Sequence, residues 1–298
     1  MAEINDIRVE LTDLGVIAVS GADARTFLGN LLTGDVRPVS ASTGLFSAWC
    51  DAKGRALATF WLVFWKEVFY LIVPTTTLES VMTGMSRYRL RSKVELTNVS
   101  DTLPVTGLAG DPARLFSGLG MEPFDSLYHC QSTDQGVFMS IPASGSTRGV
   151  YLGTLPECPG VQPAELNTWH WLDVMAGIPW ITEPTVGAFI PQMLNLGSLG
   201  GLCFSKGCYP GQEVIARLHY RGQLKRQMFL ATLEASTEVP RPGTPIYAEG
   251  LSESLGEVVQ AARAPDGVVR LLAVIKLDGK DQAPAHLGHL TGPLIRFE

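Results

Sequence analysis

Cysteine is scarce and widely scattered. Five occur, at Cys50, Cys130, Cys158, Cys203 and Cys208. An odd count with wide gaps excludes a dense disulfide framework. Cys203 and Cys208 form a C-x4-C pair, but no third or fourth ligand lies at metal-site spacing. His129, His170, His219, His286 and His289 add none, so no metal is expected. Long apolar runs are also missing. The richest, 56–73, is broken by Lys66 and Glu67, which predicts two strands rather than a membrane span. The opening MAEINDIRVE has no basic segment followed by an apolar one, so no secretory signal is expected. Positive charge is not in excess. Lys and Arg number 23 against 29 Asp and Glu, a net charge of −6, which argues against a broad non-specific nucleic-acid footprint.

What is present is core material. Hydrophobic residues make up 46% and charged residues 17% of 298 positions, enough for about two folded domains. Residues 14–20 predict a buried strand. Asp23 is a candidate cap for a helix whose apolar face is Phe27, Leu28, Leu31 and Leu32. Residues 45–50, 55–65 and 68–73 predict a strand meander with a turn at Asp51–Gly54. Residues 75–88 have helical spacing. The basic run Arg87–Lys93 fits either a strand with its cations on one face or a helix end. A solvated face is the plainer reading of it, and direct RNA contact is not expected.

Residues 104–165 predict a second, loop-rich α/β unit. A helix over 165–175 carries Trp169, His170 and Trp171. Residues 181–205 are mostly loop, which is long enough to suggest function. Beyond Arg226, short apolar runs between Pro- and Gly-rich turns predict a small barrel. The division expected is 1–225 and 226–298.

The densest stretch is 199–222. Lys206, Gly207 and Cys208 precede a Pro210-Gly211 turn. Gln212 and Glu213 then open an amphipathic helix that stops at Gly222. Cys208 is thus held just ahead of a helix start, where a thiolate or an anion is favoured. The plainer alternative is a small buried residue in a turn. A P-loop is excluded because the strand–GxxxxGK[ST]–helix order is absent.

Several ordered segments agree with one family. KGCYPGQE at 206–213 resembles the YgfZ signature, KGC-aromatic-TGQE, with Pro210 in place of Thr. GADARTFLGNLLTGDV at 21–36, DAKGRALATF at 51–60, AGIPWI at 176–181, FIPQMLNL at 189–196 and ARLHYRGQLKR at 216–226 support it. That family is similar to the glycine-cleavage T-protein, an aminomethyltransferase.

The resemblance implies an α+β fold of two interleaved α/β subdomains plus a C-terminal β-barrel. It implies a folate-binding accessory protein that supports iron–sulfur proteins, including radical enzymes that modify tRNA. Its partners would be those proteins and their assembly factors, in the cytoplasm, with nothing calling for more than a monomer. Cys208 would be the functional thiol, flanked by Lys206, Gln212, Glu213 and Arg217. Tetrahydrofolate would meet Trp169 by stacking, Gln192 and Asn195 by amide bonds, and Lys53 or Arg55 through its glutamate. The alternative is a tetrahydrofolate-dependent one-carbon transferase. Against it, GRALATF has no carboxylate where the T-protein uses one, and Met175 stands where an acid could hold a pterin.

Overall fold

The computed structural model describes residues 6–122, 126–144, 147–234, 238–251, 253–280 and 283–298. Strand β1 (Ile7–Glu10) turns into β2 (Leu14–Ser20), where Val16, Ile17 and Val19 are buried. Helix α1 (Ala24–Gly29) follows, then β3 (Leu45–Cys50), β4 (Ala56–Trp65) and β5 (Val68–Pro74). Helix α2 (Thr75–Ser86) and β6 (Glu95–Asn98) complete a five-stranded sheet of order β3-β4-β5-β2-β6.

Strands β4 and β5 are apolar on both faces because both faces are covered. Ala58, Phe60, Leu62, Phe69, Leu71 and Val73 share a core with α1 and α2. The alternate residues Ala56, Trp61, Val63, Tyr70 and Ile72 belong to a second, central core. This is strand alternation with neither face left to water. Lys66 and Glu67 make the tight β4–β5 turn with φ of 48° and 62°, the left-handed pair of a type I′ turn. Lys66 offsets that strain by lying 4.3 Å over the Trp65 ring and donating to the Asp134 carbonyl at 2.9 Å.

The 104–165 region builds β7 (Val105–Gly110), α3 (Pro112–Leu119), β8 (Cys130–Ser132), β9 (Gly136–Ser140), β10 (Thr147–Gly153) and β11 (Gln162–Pro163). These form a six-stranded sheet of order β11-β1-β7-β10-β9-β8. The first strand of the chain thus sits in the second sheet, and the two α/β subdomains are interleaved. Helix α4 (Leu166–Met175) packs on β1 and on two barrel strands, β14 (Gly256–Arg263) and β15 (Val269–Lys276). Residues 178–211 hold one 3-10 turn, Glu183–Thr185, before α5 (Gln212–Arg221). Then β12 (Arg226–Leu233) and β13 (Pro245–Ala248) join β14, β15, β16 (Ala285–Leu287) and β17 (Leu294–Phe297) in a closed barrel. Among the described residues, no helix is long and apolar enough to cross a membrane.

Two local expectations are corrected. Asp23 precedes α1 but makes no cap bond there. Its Oδ2 instead accepts from the Lys93 backbone N–H at 2.7 Å. Arg87–Lys93 is not a strand: Arg87 caps the end of α2, and the rest is an exposed, turn-rich loop. Gly21, at φ 109°, lets that loop close in, since a Cβ there would lie 2.1 Å from the Lys93 carbonyl oxygen.

Candidate functional site

A segment as long and irregular as 178–211 must find partners for its own peptide groups. It finds them in every part of the molecule. The Ala56 N–H donates to the Phe189 carbonyl at 2.8 Å, and Gly187 N–H returns a bond to Ala56 at 2.9 Å. The buried Thr33 hydroxyl donates to the Gly201 carbonyl at 2.7 Å. The Tyr128 hydroxyl donates to Leu199 at 2.8 Å. Met228 N–H, from the barrel, donates to Met193 at 2.7 Å. The segment is therefore the common wall of both sheets and the barrel.

It delivers the 206–213 turn between two anchors. On one side, Lys206 Nζ donates to the carbonyls of Leu32 (2.5 Å) and Gly34 (2.9 Å) just after α1. Burial brings its pKa down to about 8, and it stands 5.0 Å over the Tyr209 ring. On the other side, the Gln212 N–H donates to the Tyr209 carbonyl at 3.1 Å. Gly211, between them, has φ 80° and ψ 0°, the third residue of a type II turn, in which proline suits the second position. Pro210 is thus a turn residue that needs no N–H. A Cβ on Gly211 would lie 2.4 Å from Gly54 Cα, so this turn and the Asp51–Gly54 turn meet backbone to backbone.

Between the anchors lies Cys208, exposed. Of the other thiols, Cys50 and Cys130 are buried and Cys158 and Cys203 half-buried. Burial pushes Cys130 up to about 12 and also raises Cys50 and Cys158. Thiolate chemistry is therefore disfavoured at those three positions. Among the described residues no group of three or more His, Cys, Asp or Glu is placed to hold a metal.

Comparison with known proteins follows the same lines. Residues 7–116 match the GCVT N-terminal domain. The tRNA-modifying protein YgfZ of Colwellia psychrerythraea is 28% identical, covering 91% of this chain and 86% of its own. That of Photobacterium profundum is 32% identical, covering 84% and 75%. The chain belongs to the YgfZ family. Its fold is also that of the glycine cleavage system aminomethyltransferase T from Bartonella henselae. The TM-score is 0.74 at 13% identity, over 99% of this chain and 86% of that one.

In this YgfZ chain the signature helix leaves its polar side open. Gln212 is half-buried, and Glu213 and Arg217 are exposed. Among the described residues their side chains make no hydrogen bond or ion pair. Lys53 is exposed at the neighbouring turn, which Asp51 Oδ1 closes by accepting from Lys53 N–H and Arg55 N–H, both at 2.8 Å. Arg55 reaches the carbonyls of Ala188 (2.6 Å) and Gly187 (3.3 Å). Gln192 donates to the Ile215 carbonyl at 2.6 Å, while its Oε1 is buried without a partner.

Two expected folate contacts are not available as the side chains stand. Asn195 spends both ends of its amide on the barrel, donating to Met228 O and accepting from Gln227 Nε2, each at 3.0 Å. Trp169 is 1% exposed. The Arg148 guanidinium lies 4.2 Å over its ring, and Gly107 packs against its six-membered part. No face is left for stacking.

That covered Trp169 exposes what the sequence concealed. Arg148 and Asp173 form a fully buried pair, Nη2 to Oδ1 at 2.5 Å. Arg148 also donates to Leu172 O at 2.9 Å, and Trp180 Nε1 donates to Asp173 Oδ2 at 2.9 Å. Burial pushes the Asp173 carboxyl up and the Arg148 guanidinium down, each opposed by the other's charge. The available signal was an acid set between Leu172 and Val174, on the apolar C-terminal turn of the helix. Its partner, 25 residues earlier, carries no pattern.

On the same helix His170 Nε2 meets Asp13 Oδ2 at 2.7 Å. Burial alone would lower the imidazolium pKa. The Asp13 hydrogen bond and charge, with the charge of Asp173, raise it above 6.5. A raised folded-state value stabilises the fold fully below pH 6.5 and less as pH climbs through that value. Thermal melting of the wild type is therefore expected to drop over that window, and Asp13→Asn is expected to flatten the profile there.

Proposed function

We propose that this YgfZ-family chain is a folate-binding accessory protein. It supports assembly or repair of iron–sulfur proteins, including radical enzymes that modify tRNA, with Cys208 as its functional thiol. The observation that carries this reading is the isolation of Cys208. It is the exposed thiol of five, presented on a turn pinned at Lys206 and at Gly211. The open side chains of Gln212, Glu213 and Arg217 lie beside it. A thiol so placed meets a large partner without any movement of the core. The names of the relatives support the connection to tRNA modification.

For folate the residues fit in part. The buried, unpartnered Oε1 of Gln192 is an acceptor that a pterin N–H would satisfy. Lys53 and Arg55 supply cations at the exposed end for the glutamate carboxylates. Bound tetrahydrofolate would supply a one-carbon carrier. Gln192, Lys53 and Arg55 would bind and orient it. Strand β4 carries no carboxylate, and the one acid of α4 is bonded to Arg148 and Trp180, so neither element offers a base for aminomethyl transfer.

Two measurements test the reading. Cys208→Ala is expected to leave melting unchanged and to abolish support of an iron–sulfur tRNA-modifying enzyme in cells lacking the native protein. Full support by the variant would sink the thiol's role. By calorimetry, Gln192→Leu is expected to weaken tetrahydrofolate binding about tenfold, the worth of one buried hydrogen bond. Steady turnover of an aminomethyl donor by the wild type would overturn the accessory role in favour of a transferase.

A further inference from the structure

The Arg87–Lys93 loop holds charge that the fold does not use. Arg87, Arg89, Arg91 and Lys93 are all exposed. Among the described residues their side chains make no ion pair and no hydrogen bond. The flanking acids Glu79 and Glu95 do not reach them. Asp23 shares a shallow cleft with Leu90, Arg91 and Ser92, but its Oδ2 is committed to the Lys93 backbone N–H. Four unpaired cations in seven residues repel one another, so their presence adds nothing to stability. In a chain of net charge −6, such a cluster is a local feature aimed outward.

The loop is also pre-shaped. Tyr88 N–H donates to Met85 O, Arg89 N–H to Ser86 O, and Ser92 N–H to Arg89 O, at 2.9, 3.1 and 2.7 Å. Asp23 and Gly21 fix its far end, as described above. Tyr88 is 45% and Leu90 89% exposed, placed between the arginines. Preordering lowers the entropy lost on binding.

From this we infer that the loop is a docking point for the backbone of an RNA with unpaired bases. Three of the four cations are arginine, which forks onto phosphate oxygens and stacks on bases. Tyr88 offers a face for an unpaired base. A membrane is the poorer match. Helix α2 buries Leu78, Val81 and Met85 in its own core, leaving no amphipathic face to lie on lipid.

The placement adds a consequence. Helix α1 is six residues long, about 9 Å at the usual rise. Asp23 at its start holds the loop. Thr26, Gly29 and Asn30 along it line a cavity of about 240 Å³ shared with Lys206 and Gly207. An RNA on the loop therefore comes within about one short helix of the Cys208 turn.

The test is fluorescence anisotropy of a labelled tRNA transcript over a salt series, without folate, so that failure here leaves the folate reading untouched. The wild type is expected to bind with log affinity falling linearly in log salt. The triple variant Arg87→Ser, Arg89→Ser, Arg91→Ser is expected to lose about 100-fold at 0.1 M salt and to flatten the slope by about two units. The triple Arg→Lys variant is expected to keep the slope, and Tyr88→Ala to weaken binding at least about fivefold by lost stacking. Equal affinity of wild type and triple Ser variant, no salt dependence, or binding to phosphatidylserine vesicles in place of RNA would each overturn the inference. The side chains are exposed, so unchanged melting of every variant verifies folding.

Discussion

Asp173→Ala is expected to destabilise the fold by about 3–5 kcal/mol, the usual cost of stranding one charge of a buried pair. Arg148 is left without its counter-ion, in a place where water does not reach. Its Nη1 bonds to the Leu172 and Pro142 carbonyls survive, but its Nε is already unpartnered, so no charge replaces the carboxylate. Trp180 loses its acceptor as well. For a chain of this size, melting is expected to fall by on the order of 10 °C. Arg148→Met is expected to cost a similar amount, because it leaves Asp173 buried and unpaired and uncovers a face of Trp169. The double variant Arg148→Met, Asp173→Leu separates charge from packing. It is expected to recover most of the loss, since apolar replacement of a buried pair is often close to neutral. A residual of about 1 kcal/mol remains for the orphaned Trp180 indole. If the single and double variants melt together, the pair is not the source of the effect.

Gly211→Ala is expected to be the most damaging change at the signature that leaves Cys208 itself in place. Left-handed backbone alone costs an alanine about 1–3 kcal/mol. Here a Cβ would also stand 2.4 Å from Gly54 Cα and 2.6 Å from the Asp51 carbonyl oxygen. These are backbone atoms that cannot rotate away, so the two turns must part. The expected result is a loss of about 3 kcal/mol or more, and with it the pinning of Cys208. Reactivity of Cys208 toward an alkylating reagent reports that second effect directly. A rate unchanged from wild type would show that the Gly54–Gly211 contact does not position the thiol. Pro210→Thr provides the contrast. It restores the residue common in the family signature, keeps the turn, and is expected to change melting little.

Elements with strong local pattern were legible in the sequence. The strand at 14–20, the meander of 45–73, the helices expected over 75–88 and 165–175, and the barrel strands beyond Arg226 announce themselves by period and by turn residues. Such signals come from burial of one or both faces, which local sequence encodes. The signature turn was legible for the same reason, since Pro-Gly specifies a type II turn without help from elsewhere. Polar side chains were misread where their partners are remote. Asp23 read as a helix cap because the cap is the local option, yet its partner is Lys93. Trp169 and Asn195 read as open to ligand because nothing in sequence shows that Arg148 covers one and the barrel strand consumes the other.

The sequence alone determined the interleaved α/β and barrel architecture, its membership of a family, and Cys208 as the residue to examine first. Tertiary structure decided which polar groups remain free to act. It closed Trp169 and Asn195, left Gln192 with an unfilled acceptor, and set four cations on a loop where, among the described residues, none of them forms an ion pair. The physical reason is one of range. Hydrophobic periodicity and turn geometry are properties of neighbours in sequence. Hydrogen bonds and ion pairs are settled by whatever groups the finished fold brings to within about 3 Å, and in this chain those groups lie up to 174 residues apart.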